Sequence, residues 1–322
     1  MAWPVISVVL GLGLLLLAGD ALVKGAVNLS LRLGIPAAIV GMTVVAFGTS
    51  APELLVSVQA VLAGAPELAL GNVVGSNIAN VLLVLGLPAL FATVSISGPG
   101  ARRDLRIMLA ASALFAVLVF LGPIRWPQAL VLLSGLAWLL WDALRQAQAH
   151  RNGARPDAAA APPLEQAEAG MSWLRIGLFT GFGILGLPIG ASLLVDGSVA
   201  IAAVLGVSEV VIGLTLVAVG TSLPELATTL IAALRREAGV ALGNVLGSNC
   251  FNLLGILGVA GLVGPIPVPP EVLSRDLWVM LGSSLVMGVL IYVGRPLGRW
   301  AGLGLLALYA GYLALLVFGV GR

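Results

Sequence analysis

Two glutamates stand where a membrane-buried chain would ordinarily place leucine. Glu53 closes the stretch GTSAPE (residues 48–53) and Glu225 closes GTSLPE (residues 220–225), each inside a long apolar run. A carboxylate at mid-bilayer costs at least ~2.5 kcal/mol on insertion scales, and residues that bear this cost usually line ion paths. Hydroxyls precede each acid, Thr49 and Ser50 in the first copy and Thr221 and Ser222 in the second. A proline precedes each as well. Pro52 has no N–H for the Gly48 carbonyl, so the helix is expected to kink or unwind around Ala46 to Thr49; Pro224 acts likewise around Ala218 to Thr221. Carbonyls freed in this way persist in lipid only where protein buries them or a wet cavity receives them. Each copy thus gathers carbonyls, hydroxyls and one carboxylate, an all-oxygen set suited to hard cations such as Ca²⁺ or Na⁺.

A second repeated pattern follows each acid. In GNVVGSNIAN, Asn72, Ser76 and Asn80 are four residues apart and share one helix face; Asn244, Ser248 and Asn252 do the same in GNVLGSNCFN. The GxxxG spacings, Gly71 with Gly75 and Gly243 with Gly247, permit close backbone approach. Helix packing is an adequate reading of these glycines and of Asn72, Asn77, Asn244 and Asn249. For Ser76, Asn80, Ser248 and Asn252, recurrence beside a buried acid favours ion ligation.

One offset relates both patterns. Shifting the chain by 172 residues matches 10 of 18 positions between 41–58 and 213–230, and 10 of 16 between 71–86 and 243–258. The chain is therefore a duplication. With 322 residues, 60% hydrophobic and 9% charged, it reads as an all-α polytopic membrane protein. Ten transmembrane helices are expected, near 4–28, 37–62, 69–91, 104–121, 128–145, 173–203, 209–233, 240–263, 276–293 and 298–319. Five spans per copy is odd, so the second repeat enters from the opposite side; such inverted-topology repeats mark secondary transporters with sites near the midplane. With an outside N-terminus, all 16 Lys and Arg except Arg125, Arg275 and Arg322 fall at or near the cytoplasmic side. Both termini are then expected outside, with the first apolar stretch kept as a span rather than removed as a signal peptide. The organisation expected is a first five-helix repeat over 1–145, a cytoplasmic linker over 146–172, rich in Ala, Pro and charge, and a second repeat over 173–322.

The remaining polar residues are less informative. The lone cysteine, Cys250, reads as a packing residue, and the lone histidine, His150, as a solvated loop residue. Asp20 and Lys24 are spaced to pair within the first span. Asp196 shows no partner in the sequence, and is expected to line a vestibule or meet an arginine. The net charge of +2 gives no ground for nucleic-acid binding.

With GTSAPE, GTSLPE, GSNIAN and GSNCFN, the chain resembles a prokaryotic member of the sodium/calcium exchanger family, within the calcium/cation antiporter superfamily. The resemblance covers essentially the whole chain. It implies exchange of Na⁺ and Ca²⁺ across the plasma (inner) membrane by alternating access, with the ions bound as substrates and no cofactor. It also implies four cation sites between spans 2, 3, 7 and 8. Glu53 and Glu225 would be shared carboxylate ligands; Thr49, Ser50, Thr221 and Ser222 would add oxygens; Ser76, Ser248 and the carbonyls of Ala46 and Ala218 would complete the sodium sites. Asn80 matches the family's first-repeat amide. Spans 1 and 6 would slide across the rest. The proton-coupled branch typically carries GN where this chain has GTS, which points to the sodium-coupled branch. Many family members place aspartate where this chain has Asn252. Two carboxylates balance one Ca²⁺ or two Na⁺, whereas a third Na⁺ would leave uncompensated charge in a low-dielectric site. The alternative is thus a related cation antiporter with altered coupling, driven by protons or moving another divalent ion. An intramembrane hydrolase built on Ser50 or Ser222 lacks a neighbouring base. A passive channel built from similar oxygens stays open, distinguished from an exchanger by flux that needs no counter-ion. The partners are the two ions and the bilayer; the oligomeric state is open, with a monomer plausible.

Overall fold

The computed structural model describes residues 2–98, 100–152, 168, 170–205 and 218–319. The start of the expected seventh span, 209–217, and most of the linker, 153–167, lie outside them. The described residues are overwhelmingly helical. They form α1 (Ala2–Leu33), α2 (Ala37–Thr49), α3 (Ala51–Leu62), α4 (Pro66–Leu82), α5 (Ala101–Phe120), α6 (Trp126–Arg151), α7 (Trp173–Val204), α8 (Leu223–Leu234), α9 (Ala238–Val263), α10 (Val272–Val293) and α11 (Arg299–Gly319), with short turns at Pro88–Phe91 and Ala218–Gly220. Among the described residues, α1, α6, α7, α9, α10 and Arg299–Leu316 are long and apolar enough to cross a membrane. The broken pair α2 and α3, bent by 42°, makes a seventh such segment. Helix α5 carries Arg102, Arg103, Asp104 and Arg106 in its first turns, and α4 and α8 are short.

The start of the linker differs from the sequence expectation. Helix α6 runs six residues into the expected linker, through Gln146 to Arg151. Alanine and glutamine are good helix formers, and His150 and Arg151 in the last turn suit the negative end of the helix dipole.

The 172-residue offset reappears in backbone detail. Helices α3 and α8 begin and end at equivalent residues, and the residues before them, Ser50 and Ser222, share nearly one conformation (φ −85°, ψ 2° and φ −88°, ψ 3°). Both helices end alike. Ala65 N–H reaches Ala60 O at 2.9 Å and Glu237 N–H reaches Ala232 O at 2.8 Å, around residues with positive φ, Gly64 (78°) and Arg236 (57°). Contacts between the copies are reciprocal to within one residue: Val94 and Ile266 are 172 apart, and their partners Leu297 and Ile124 are 173 apart. Val94 and Leu297 exchange backbone hydrogen bonds of 3.0 and 2.8 Å, and Ile124 and Ile266 exchange two of 2.9 Å.

Helix α9 is the centre of the molecule: 89% of its apolar window is buried, against at most 39% for the other candidate spans. Its small residues explain this. A Cβ on Gly243 would lie 2.6 Å from Ala38 O, and one on Gly247 2.4 Å from Met42 O, so α9 packs backbone-to-backbone on α2. Helices α1 and α7 pack the same way along their length; a Cβ on Gly11 would meet Leu194 N at 2.5 Å, one on Gly183 the Leu22 Cβ at 2.5 Å, and one on Gly197 the Pro4 O at 2.7 Å. Cys250 is fully buried within the larger apolar cluster, as a packing residue should be.

The charged residues of α1 reach far along the chain. Asp20 pairs with Arg235 at 2.8 Å, and Lys24 pairs with Glu168, whose backbone N–H donates to Asn28 Oδ1 at 2.9 Å. The hydrogen bond from the Lys24 ammonium holds the exposed Glu168 carboxyl below the usual carboxylate range. Asp196 is exposed and accepts from Ser192 Oγ at 3.1 Å.

Candidate functional site

Both breaks form next to their prolines, but not identically. After α2 the chain bends at Ser50, and Ser50 N–H still reaches the Ala46 carbonyl at 3.0 Å. This corrects the expectation that Ala46 is freed: Pro52 withholds its N–H from Gly48 alone, so the bond two residues earlier survives. In the second copy, Ser222 N–H turns to Val219 O at 3.1 Å, three residues back, rather than to Ala218. Wide π-helical turns lie near both motifs, at Gly41–Val45 before the first break and at Phe251–Ile256 around Asn252. Such turns insert an extra residue into the helix and recur at functional sites.

Glu53 and Glu225 stand in the first turns of α3 and α8, both almost wholly buried. Each acid is held at its backbone by an asparagine from the following helix. Asn72 Nδ2 donates to Glu53 O at 3.3 Å and to Ser57 Oγ at 3.0 Å; Asn244 Nδ2 donates to Glu225 O at 3.3 Å and to Thr229 Oγ1 at 3.1 Å. Reading Asn72 and Asn244 only as helix packing understates them. Ser57 and Thr229 were not singled out from the sequence, although the signal is there: two hydroxyls, each four residues past an acid, related by the common offset.

Across the two copies the contacts are unequal. Ser50 Oγ donates to Glu225 Oε1 at 3.0 Å. Thr49 Oγ1 lies 3.3 Å from Ala46 O, 3.1 Å from Asn244 Oδ1 and 3.5 Å from Ser248 Oγ, with one proton to share among them. Asn80 Nδ2 donates to Asn249 Oδ1 at 3.1 Å, and Asn249 Nδ2 lies 3.4 Å from Met108 Sδ. Thr221 is only half-buried, and Ala218 opens the turn Ala218–Gly220. Ser76, Ser248 and Asn252 are all buried.

Buried polar atoms without partners concentrate at the same positions. Among the described residues they include both carboxylate oxygens of Glu53, Glu225 Oε2, Asn77 Oδ1, Asn80 Oδ1, Ser222 Oγ and both amide atoms of Asn252. Leaving such a group unpaired costs about 1–3 kcal/mol, and more when it is charged. The described ion pairs include neither glutamate. Among the described residues no group of three or more His, Cys, Asp or Glu gathers. The donor set is two carboxylates with neutral oxygens; the two negative charges would balance a hard cation of charge two, and the unpartnered oxygens are the kind that coordinate one.

Comparison with known proteins places this chain among membrane transporters. The family model described as sodium/calcium exchanger protein matches residues 3–141 and 176–318. Inner membrane protein YrbG of Escherichia coli (strain K12) is 36% identical over 314 residues, covering 96% of this chain and 95% of that protein. Sodium/calcium exchanger MaX1 of Methanosarcina acetivorans is 34% identical over 340 residues, covering 96% and 97%. A solved structure of the sodium-calcium exchanger NCX_Mj, soaked with zero Na⁺ and Ca²⁺, superposes with a TM-score of 0.80 at 33% identity, covering 97% of this chain and 98% of that one.

Proposed function

The chain belongs to the sodium/calcium exchanger protein family, and on that premise we propose that it exchanges Na⁺ for Ca²⁺ by alternating access. At the coarser level it is a multi-pass membrane cation antiporter, a transporter rather than an enzyme. One observation carries the finer reading: the unpartnered buried oxygens cluster on the repeated motifs, around two glutamates that lack a basic partner among the described ion pairs. We assign the ion ligands to Glu53, Glu225, Asn80, Asn252, Thr49, Ser50, Thr221, Ser222, Ser76, Ser248 and the Ala218 carbonyl. Ala46 is the weakest member of the expected set, because its carbonyl already accepts a backbone hydrogen bond.

We read the fold as two five-span repeats, 1–145 and 173–322, joined by a linker over 146–172, with the second repeat inverted. The pairing of Val94 with Leu297 and of Ile266 with Ile124, reciprocal to within one residue, supports this. The distribution of arginines supports outside termini and a cytoplasmic linker. The test is ⁴⁵Ca uptake into proteoliposomes driven by a sodium gradient. Uptake that needs no sodium gradient, or that survives intact in both Glu53→Gln and Glu225→Gln, would sink the proposal.

A second reading rests on Asn252, whose amide oxygen and nitrogen both lack partners where a third acid would add charge. Two carboxylates neutralise one Ca²⁺ or two Na⁺, so coupling other than three sodium ions per calcium follows if the site holds no net charge. Asn252→Asp then changes the Hill slope for sodium or the transport current. An unchanged slope and current would set this reading aside.

A further inference from the structure

An arginine-lined cavity lies away from the two glutamates, at the start of α5. Its volume is about 440 Å³, and Arg102, Arg103, Arg106, Ser97, Ile291 and Gly294 line it. The walls are held together: the paired backbone hydrogen bonds of Val94 and Leu297 fasten the loop before α5 to the loop between α10 and α11. Three arginines within five residues are followed by the apolar run from Ile107 to Phe120. In a membrane protein this sequence puts the guanidinium groups at the edge of the hydrocarbon, at headgroup depth.

The charge there is only partly compensated. Arg103 pairs with Asp142, but its Nη1 is buried without a hydrogen-bond partner. Arg102 stacks over the Tyr292 ring at 5.4 Å, which fixes the guanidinium without neutralising it. Arg106 Nε donates to Arg102 O at 3.3 Å. Neither Arg102 nor Arg106 takes part in the described ion pairs. Asp104, on the same turn, is buried and has interactions of its own. Arg295 and Arg299, both exposed, flank the neighbouring loop at Gly294 and add to the positive field.

We propose that this cavity binds a phosphate-bearing anion, the headgroup of an anionic phospholipid or a free phosphate. Guanidinium forks match phosphate oxygens in pairs, and a cavity of this size has room for a headgroup. Basic pockets between spans at the membrane surface recognise such headgroups. The site is independent of the ion-exchange reading.

The experiment titrates purified full-length protein in neutral detergent with dioleoyl phosphatidylglycerol, dioleoyl phosphatidylcholine or inorganic phosphate. Thermal unfolding is followed, and native mass spectrometry counts retained lipid. Phosphatidylglycerol is expected to raise Tm and to be retained, and Arg102→Gln/Arg106→Gln is expected to lose at least half of both effects. If inorganic phosphate gives the same mutation-sensitive shift without lipid retention, the ligand is free phosphate. Equal shifts with phosphatidylcholine overturn the proposal, as does a double variant that keeps its full response to phosphatidylglycerol and phosphate. Both arginines are exposed, so the double variant should fold; if it does not, Arg106→Gln alone gives the same readout.

Discussion

GTSAPE and GTSLPE share local backbone but not surroundings. Ser50 and Ser222 adopt nearly the same φ and ψ, yet Ser50 gives its proton to Glu225 while Ser222 Oγ finds no partner. Glu225 has one oxygen satisfied and Glu53 has neither. Thr49 is wholly buried against α9, whereas Thr221 is half-buried. Equal sequence therefore does not produce equal environment. An antiporter that opens to one side at a time must hold its two halves differently. On the proposed alternating-access reading, unequal hydrogen bonding around equivalent acids is one form such a difference would take.

The largest effect expected is from the acids. Glu53→Gln and Glu225→Gln each remove a buried carboxylate from the proposed cation site, and calcium uptake is expected to fall roughly 100-fold or more, by analogy with the ~3 kcal/mol lost when a buried ion pair is broken. Glu53→Gln should be the more severe, because both its oxygens lack protein partners; equal losses would remove the functional side of the asymmetry.

Next come the asparagines that hold the acids. Asn72→Ala and Asn244→Ala each lose two hydrogen bonds and should destabilise the protein by about 1–3 kcal/mol. Asn244→Ala should cost more, since Asn244 also accepts from Thr49. Thermal unfolding in detergent reads the ranking.

A smaller contrast separates the serines. Without ions, Ser50→Ala should lower Tm through the loss of a hydrogen bond to a carboxylate, about 1.5–3 kcal/mol at most. Ser222→Ala should leave the ion-free Tm unchanged or raised, because it deletes an unpaired hydroxyl. Reversal of that order would mean that the two halves exchange their hydrogen bonding in solution.

The smallest effect concerns the helix ends. Gly64→Arg copies the second half into the first at a residue with φ of 78°, and should cost about 1 kcal/mol in stability, since left-handed backbone disfavours a Cβ. No change in Tm would mean that Arg236 bears no strain at the equivalent site.

Much of this was legible in the residues. The duplicated acids, the prolines and the single offset of 172 point to paired breaks, and the breaks occur at Ser50 and Ser222. Proline acts on a backbone bond that can be counted from the sequence. The asymmetry was not legible, because two nearly equal strings carry no information about which copy packs more tightly. Ion-pair partners were hidden for a related reason. Asp20 meets Arg235 and Lys24 meets Glu168, more than 140 residues away in each case, and such pairing is decided by where helices end in space. Ala46 shows the finer limit: one missing N–H frees one carbonyl, and the neighbours keep theirs.

The glycine-lined seam between α1 and α7 has a mechanical consequence. Two rods joined along their whole length resist bending far more than either alone, and they share one neutral axis. Pro188 removes one backbone hydrogen bond midway along α7, and Gly186 and Gly190 on either side of it pack on α1, so the pair stays one beam where α7 alone would bend.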